Sequence, residues 1–211
     1  MAEWRDRGES LVTVYVYVEG GGTQRSTLSA CREGFATFLA RFVPPGRLPK
    51  VIPGGARNAA FDKFTTRVSR KEAGDEVLLL VDSEDPVPAG TRVWAYVIAR
   101  DHWAQPPGTT DDDLHFMVQC TEAWFLADAT TLAAYYGAGF GRAALPANPK
   151  VEQVAKADVL DGLQRATAGT KRGKYLKTRD GFDLLARLDP AAVRGRSPYA
   201  DRFCTTLLRV V

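Results

Sequence analysis

VTVYVYVEGGGTQR, residues 12–25, is the stretch from which the fold follows. Valine alternates with threonine and tyrosine up to Val18, just before Glu19, a pattern that is typical of a β-strand. The strand ends in that single carboxylate, and three consecutive glycines follow it. Ligands of open α/β sheets bind at the carboxyl ends of the strands, and glycines let a backbone or a phosphate approach closely. We therefore expect Glu19 to face a ligand.

The composition is that of a globular protein without a dominant charge. A chain of 211 residues, 45% hydrophobic and 25% charged, is suited to one domain that buries about 70% of its unfolded surface. The net charge of +3 and the pI near 8.8 are mild, so charge alone indicates no particular partner. The three cysteines are far apart and form no CxxC pair, which argues against a zinc site or a disulfide framework.

Targeting and membrane signals are missing from the sequence pattern. The first ten residues, MAEWRDRGES, mix acids with bases and lack the apolar centre of a signal peptide, so we expect a polar arm there. Every apolar run is shorter than the ~18 residues that a membrane-spanning helix requires. Together with thiols that we expect to be reduced, this predicts a cytoplasmic protein without membrane contact.

Strand and helix patterns alternate through the first 128 residues. VLLLVD, residues 77–82, is apolar without alternation, which predicts a strand buried on both faces of a parallel sheet. Further strands are predicted over 50–52 and 115–119. Helical spacing predicts helices over 26–42, 59–71, 92–100 and 121–128. The order indicates βαβ units with right-handed crossovers.

The strand signal stops after residue 128. Helical periodicity of the apolar residues predicts helices over 129–137, 151–167, 181–189 and 198–210. The predicted fold is therefore α/β, with a mostly parallel sheet flanked by helices over residues 11–128. Residues 129–211 form a helical C-terminal part that packs on this core within a single globular unit.

Carboxylates follow three of the predicted strands: Glu19 after the first, Asp82, Glu84 and Asp85 after the third, and Glu122 after the fourth. Two carboxylates about 4 Å apart repel by roughly 4 kcal/mol at an effective dielectric of 20, so a cluster requires a cation. Hard oxygen ligands without histidine or cysteine favour Mg²⁺ or Mn²⁺. On an extended chain Asp82 and Glu84 face the same way and Asp85 the other, so the first two are the better pair of ligands.

Each acid has an ordinary structural explanation when it is taken alone. Asp85 before proline is a common start of a turn. Glu122 can simply stabilise a helix start, because its negative charge would lie near the positive end of the helix dipole. The glycine triplet lacks the GK[ST] ending of a P-loop and the spacing of the dinucleotide fingerprint. The histidines, His102 and His115, have no partner at ligand spacing and are expected to be structural. The coincidence of acids at three strand ends carries the prediction of a site.

A basic segment, GTKRGKYLKTR at residues 169–179, offers cations for phosphate, although a solvated loop has the same composition. Lys177 is the residue that we expect to stabilise the developing charge of a phosphoryl transition state. The residues predicted to contact phosphate or nucleic acid are Gly20, Gly21, Gly22, Arg25, Arg57, Lys171 and Lys174.

VYVEGGG followed by LLLVDSED resembles the Toprim domain of topoisomerases, primases and overcoming-lysogenization-defect nucleases, which has an acid after its first strand and an acid pair after its third. From Val14 onward, VYVEGGGTQR, LLVDSEDP, HFMVQCTEAWFLAD and KYLK are similar, in this order, to a bacterial family of unknown function, the domain numbered 4276. That family is placed near Toprim proteins and is found beside ATPases in phage-defence loci. The resemblance implies a Rossmannoid, Toprim-like sheet and an ABC- or AAA-type ATPase partner.

The resemblance also implies roles for the acids. Glu19 would be the general acid/base or a carboxylate next to the metal, Asp82 and Glu84 would bind the ion, and Glu122 would complete a two-metal site. Because the pair here is DxE with Asp85 behind it, in place of DxD, the ligand set and the number of ions stay open.

The function expected is an Mg²⁺-dependent (or Mn²⁺-dependent) phosphodiesterase, an endonuclease on DNA or RNA in anti-phage defence. The alternative is a non-catalytic interaction or sensor subunit of an ATPase, and a homo-oligomer is compatible with either. A third option is phosphoryl or nucleotidyl transfer to a small molecule, which a cleft too narrow for a strand of nucleic acid would favour.

Overall fold

The computed structural model describes residues 12–211, so the polar arm expected at residues 1–10 lies outside the described residues. The strands are β1 (Val14–Glu19), β2 (Lys50–Gly55), β3 (Glu76–Asp82) and β4 (Leu114–Met117). They form one sheet in the order β2-β1-β3-β4, and each neighbouring pair is parallel. The predicted α/β class with a parallel sheet is thus confirmed.

Helices connect the strands and make up the C-terminal part. The described helices are α1 (Arg25–Ala40), α2 (Arg57–Val68), α3 (Val93–Asp101), α4 (Ala123–Ala127), α5 (Ala129–Tyr136), α6 (Lys156–Thr167), α7 (Lys177–Arg187), α8 (Pro190–Arg196) and α9 (Pro198–Val210). Short 3-10 turns cover Asp111–Asp113, Arg142–Ala144 and Val151–Gln153. Among residues 12–211, no helix has the length and apolar character needed to cross a membrane.

The sheet separates two hydrophobic cores. Val14, Val16 and Val18 point to one face, where they join a core built from α1 and the C-terminal helices. Tyr17 points to the other face and packs with residues of α2 and α3. Every residue of β3 after Glu76 is buried, as the unbroken apolar run predicts. The helices after residue 128 share the first core with the sheet, with α7 lying along α1 and α9 against β4.

Several boundaries differ from the sequence prediction for local reasons. The strand predicted over 50–52 continues to Gly55, because β2 is an edge strand and such a strand tolerates Pro53. The helix predicted from residue 181 starts at Lys177, and Asp180 in its first turn accepts a hydrogen bond from the amide of Leu176 at 3.0 Å. The helix predicted over 151–167 is divided into a 3-10 turn and α6.

Candidate functional site

The strand order creates a crevice between β1 and β3. The chain leaves β1 toward β2 on one side and returns to β3 on the other, so the connections after β1 and β3 diverge at this point of the sheet. Such a switch point is where open α/β sheets bind ligands. Glu19 ends β1 and Asp82 ends β3, so the fold delivers two acids to the crevice.

Three carboxylates meet in the crevice. One oxygen each of Glu19, Asp82 and Glu84 lies within 4.8 Å of the others. Oε2 of Glu19 accepts a 3.2 Å hydrogen bond from the amide of Asp82, which fixes the two strand ends relative to each other. The side chains of Glu19 and Asp82 are only 16% and 7% exposed. The convergence expected for these acids is therefore present, in a recessed position.

Glu84 reaches the cluster through a left-handed backbone conformation, with φ of 67°. Its amide donates to the carbonyl of Gln119 at 2.9 Å, which holds this turn against the chain after β4. Strand alternation, the basis of the prediction for the DxE pair, therefore does not apply at this position. Asp85 turns outward, is 67% exposed and pairs with Nε of Arg100 at 3.0 Å. The structure does not bring Asp85, a predicted metal ligand, to the cluster.

Arg57 is engaged by protein groups on every side. Its Nη1 lies 3.2 Å from Oε2 of Glu19 and also donates to the carbonyl of Asp82. Nε and Nη2 form a bidentate pair with Asp101 at 3.0 and 2.7 Å, and the guanidinium lies 4.8 Å from the centre of the Trp103 ring. Arg57 was predicted to contact phosphate, whereas the structure makes it the residue that positions Glu19.

Lys156, the first residue of α6, belongs to the site although no sequence pattern singled it out. Its Nζ lies 2.5 Å from Oε2 of Glu84, and its amide donates to the side chain of Gln119 at 3.1 Å. Burial works to lower the pKa of Lys156, but the hydrogen bond to Glu84 and the charge of Asp82 raise it by more. A lysine 72 positions from its partner leaves no signal in a single sequence.

Lys177 and Glu122 form an ion pair beside the cluster. Nζ of Lys177 lies 3.1 Å from Oε1 of Glu122 and 4.0 Å from Oδ2 of Asp82. The hydroxyl of Tyr175, a residue of the basic segment, donates to Glu122 at 3.0 Å. Burial lowers the pKa of Lys177, yet the charges of Glu122 and Asp82 raise it above the ordinary value, so the ammonium stays protonated. Glu122, expected as a metal ligand, is thus placed as the counter-ion of Lys177.

Asp82 is the most deeply placed acid of the cluster. Its Oδ1 accepts hydrogen bonds from the amide and the hydroxyl of Thr121, at 2.8 and 3.0 Å. Burial raises the pKa of Asp82 to about 7, Lys177 opposes the shift, and the charges of Glu19 and Glu122 add to it. Burial also raises the pKa of Glu19, against the effect of Arg57. A further positive charge nearby would stabilise the ionised form of such buried carboxyl groups.

A cavity of about 280 Å³ opens beside these residues. Its wall includes the glycine triplet with Thr23, the residues Gly55 and Ala56, the acids Glu19, Asp82 and Glu122, and the residues Phe125, Lys177, Gly181 and Phe182. The lining thus combines three acids, one lysine and two aromatic rings.

Glycine is required at residues 20–22 by the fold itself, in addition to any space that it leaves for a ligand. Gly20, Gly21 and Gly22 all have positive φ, and a Cβ on Gly21 would lie 3.0 Å from the Cα of Leu28 in α1. Gly20 and Gly55 exchange two backbone hydrogen bonds of 2.9 and 3.0 Å, which tie the loop after β1 to the end of β2. The triplet lines the cavity, but its conformation and its packing on α1 already require glycine.

The other basic residues that the sequence predicts to contact phosphate lie on the surface, outside the lining of the cavity. Arg25 begins α1, and Lys171 and Lys174 are exposed in the loop before Tyr175. In the same segment, Arg172 lies 4.2 Å from the ring centre of Tyr135, and Arg179 pairs with Asp180. Contact of Arg25, Lys171 and Lys174 with nucleic acid stays a prediction.

The family model described as "Domain of unknown function (DUF4276)" matches residues 18–208. The chain belongs to the DUF4276 family. The match runs from the residue before Glu19 into the last turn of α9, so all the acids and lysines of the site lie within it. Neither the comparison with curated proteins nor the one with solved structures finds a match.

Proposed function

We propose that this DUF4276 protein is a Toprim-like phosphodiesterase that depends on Mg²⁺ or Mn²⁺ and cleaves DNA or RNA. The observation that carries the proposal is the approach of three carboxylate oxygens, from Glu19, Asp82 and Glu84, to within 4.8 Å of one another at the switch point of the sheet. A cavity with a protonated lysine, Lys177, on its wall adjoins them. Metal-dependent phosphoryl chemistry uses this combination of acids and one cation.

The donor set supports a hard divalent cation. Mg²⁺ binds oxygen at about 2.0–2.1 Å, so two of its ligands are at most about 4.2 Å apart. Small rotations of the Glu19 and Glu84 side chains would bring the present 4.8 Å spread into that range. Asp82 supports the assignment because burial raises its pKa, and a neighbouring cation relieves that unfavourable ionisation. When bound, the ion would polarise the phosphate as a Lewis acid.

Side chains of the site have separate roles in the proposed reaction. Oε2 of Glu19 is held by Arg57 and by the amide of Asp82, and its raised pKa suits a group that takes a proton from water. Lys177 carries its charge at the wall of the cavity, where it can donate to a phosphate oxygen. Glu122 keeps that lysine in place.

The test is hydrolysis of plasmid DNA, single-stranded RNA and bis(4-nitrophenyl) phosphate with Mg²⁺ or Mn²⁺. Glu19→Gln and Asp82→Asn should lower the rate by about 10²-fold or more, because a general base and a ligand are lost. Asp85→Asn is the matched control, since Asp85 follows in the same loop but pairs outward with Arg100. Equal rates for the wild type, Glu19→Gln and Asp82→Asn would refute the proposal.

One observation favours the second candidate, a non-catalytic interaction or sensor subunit of an ATPase in phage defence. Cations of the chain already face the acids: Arg57 lies against Glu19, Lys156 against Glu84, and Lys177 between Glu122 and Asp82. Such a network is largely neutralised without an ion. Titration calorimetry with Mn²⁺ separates the two functions, because an interaction subunit requires no affinity for the ion, whereas the phosphodiesterase loses its Mn²⁺ binding in Asp82→Asn.

A further inference from the structure

We infer that the substrate of this site is single-stranded nucleic acid, with one nucleotide unit entering the cavity at a time, and that intact duplex is excluded. The inference rests on the proposed function and specifies its substrate class. Three features of the described residues carry it: the depth of the acids, the size of the cavity and the aromatic residues in its wall.

The acids that line the cavity are less exposed than its lysine. The side chains of Asp82 and Glu122 are 7% and 2% exposed and that of Glu19 is 16% exposed, whereas Lys177 is 56% exposed. A phosphate that reaches Asp82 must therefore enter a recess, whereas Glu84, outside the lining of the cavity, is 29% exposed. The exposed Lys177 can contact a phosphate on the surface, but the buried Asp82 and Glu122 cannot.

The volume sets what can enter with the phosphate. About 280 Å³ lies just below the usual range for ligand pockets, about 300–1,000 Å³, and suits at most one nucleotide unit. In a duplex each phosphate belongs to a strand whose bases are paired and stacked, so a nucleotide enters a recess only after it has left the helix. An unpaired nucleotide can enter without the free-energy cost of unpairing and unstacking a base.

Part of the cavity wall, next to the glycine loop, is apolar and aromatic. Phe182, in α7, is partly exposed and lines the cavity beside Gly20 and Gly181, and Phe125 is buried behind the same wall. Aromatic side chains bind unpaired bases by stacking, whatever the base, with about 1–3 kcal/mol per base. This chemistry favours an unpaired base with little sequence preference.

Cleavage of matched substrates tests the inference. The wild type with Mn²⁺ is given a fluorescein-labelled single strand of about 20 nucleotides, as DNA and as RNA, the corresponding duplexes, and a DNA duplex with a short single-stranded gap. We expect single strands to be cut at least about tenfold faster than duplexes, and cuts in the gapped substrate to lie within the gap. Equal or faster cutting of the intact duplex would overturn the inference.

Failure of the proposed function gives a different result. If none of these substrates and no bis(4-nitrophenyl) phosphate is hydrolysed, catalysis is refuted and binding decides the inference. Fluorescence anisotropy at constant salt should then show about tenfold tighter binding of the single strand than of the duplex. Equal affinities, or tighter binding of the duplex, would overturn it.

The aromatic wall is tested with a matched pair of variants. Phe182→Ala should weaken binding of the single strand by about tenfold, whereas Phe42→Ala removes an equally sized, partly buried ring just beyond the C-terminal end of α1 and should not. Phe182→Leu keeps the apolar volume and serves if the alanine variant fails to fold. Unchanged single-strand affinity in Phe182→Leu or Phe182→Ala would show that no base stacks there and would overturn this part of the inference.

Discussion

The buried hydroxyl of Tyr175 donates a 3.0 Å hydrogen bond to Oε1 of Glu122, the oxygen that also lies 3.1 Å from Nζ of Lys177. Glu122 is therefore held from one side by a neutral donor and on the other side holds the lysine of the cavity wall. Its place in the site is that of a positioning residue, and the orientation of Lys177 depends on it.

Tyr175→Phe should destabilise the fold and lower activity together. The variant leaves a buried carboxylate with one donor fewer, which costs about 1–3 kcal/mol. Tyr136→Phe is the matched control, because the Tyr136 hydroxyl donates to the carboxylate of Asp180 at the same 3.0 Å but lies outside the cavity. Urea denaturation should give similar losses for both variants, and only Tyr175→Phe should reduce phosphodiesterase activity. Equal activities would show that the Tyr175 bond is merely structural.

Glu122→Gln should change the pH profile as well as the rate. Because the charge of Glu122 raises the pKa of Lys177, removing it lets the lysine lose its proton at lower pH. We expect the alkaline limb of the kcat/KM profile to move to lower pH, with Asp85→Asn leaving it in place. An unchanged limb would contradict a role for the Lys177 charge.

Glu84 offers a test of the left-handed turn. At a φ of 67° alanine is less favourable than glycine by about 1–2 kcal/mol, so Glu84→Gly should be more stable than Glu84→Ala by about that amount. Glu76 in β3 provides the reverse case, since glycine weakens a regular strand and Glu76→Ala should be the more stable member of its pair. Urea denaturation of the four variants measures both differences. The same order at both positions would contradict the conformation of Glu84.

The buried histidine predicts a loss of stability in acid. Burial lowers the pKa of His115 to about 3, with Arg202 and Arg209 adding to the shift and Asp112 opposing it. Below about pH 6.5 the unfolded chain binds a proton that the folded chain does not, so the free energy of unfolding falls as pH drops toward 3. The slope due to this residue is at most about 1.4 kcal/mol per pH unit. Urea denaturation between pH 7 and 5 should show a flatter dependence in His115→Asn than in the wild type.

His102 supplies the control for that measurement. It is exposed and has a φ of 57°, a conformation that asparagine adopts readily, so His102→Asn should keep the wild-type slope. An identical slope in His115→Asn and in the wild type would mean that His115 does not stay neutral in the fold.

Arg57→Lys should be one of the more damaging single substitutions near the site. A lysine cannot reproduce the bidentate contact with Asp101 and the bond to Glu19 at once, and these side chains are 13%, 8% and 16% exposed. We expect a loss of about 2–4 kcal/mol, because a buried ion pair is broken on one side. Arg92→Lys, in a pair whose arginine is 74% exposed, should change stability by less than about 1 kcal/mol. Similar melting temperatures for the two variants would contradict the central position of Arg57.

The sequence predicted the part of the site that follows from strand order. Parallel strands place their carboxyl ends at one edge, so Glu19 and Asp82 were expected to meet, and they do. The prediction was less complete where the backbone leaves regular geometry. Alternation along an extended chain cannot foresee the left-handed turn at Glu84 or the outward course of Asp85.

The cations were the least predictable part, because their positions depend on tertiary packing. Lys177 was assigned to a loop, but it begins α7, and Asp180 in the first turn was an available signal for that start. The segments that carry Lys156 and Tyr175 fold back over the sheet edge from far along the chain. Arg57 was foreseen at the strand end, but not its engagement with Asp101 and Trp103.

The pair of backbone hydrogen bonds between Gly20 and Gly55 makes position 55 useful for genetics. A methyl group there would lie 2.8 Å from the carbonyl oxygen of Gly22, and φ at Gly55 is 83°, so Gly55→Ala should displace the glycine loop while every acid and lysine of the site remains. Such an allele alters the shape of the site without altering its charge. In living cells it would distinguish phenotypes that need an intact crevice from those that need only the surface charges of the protein.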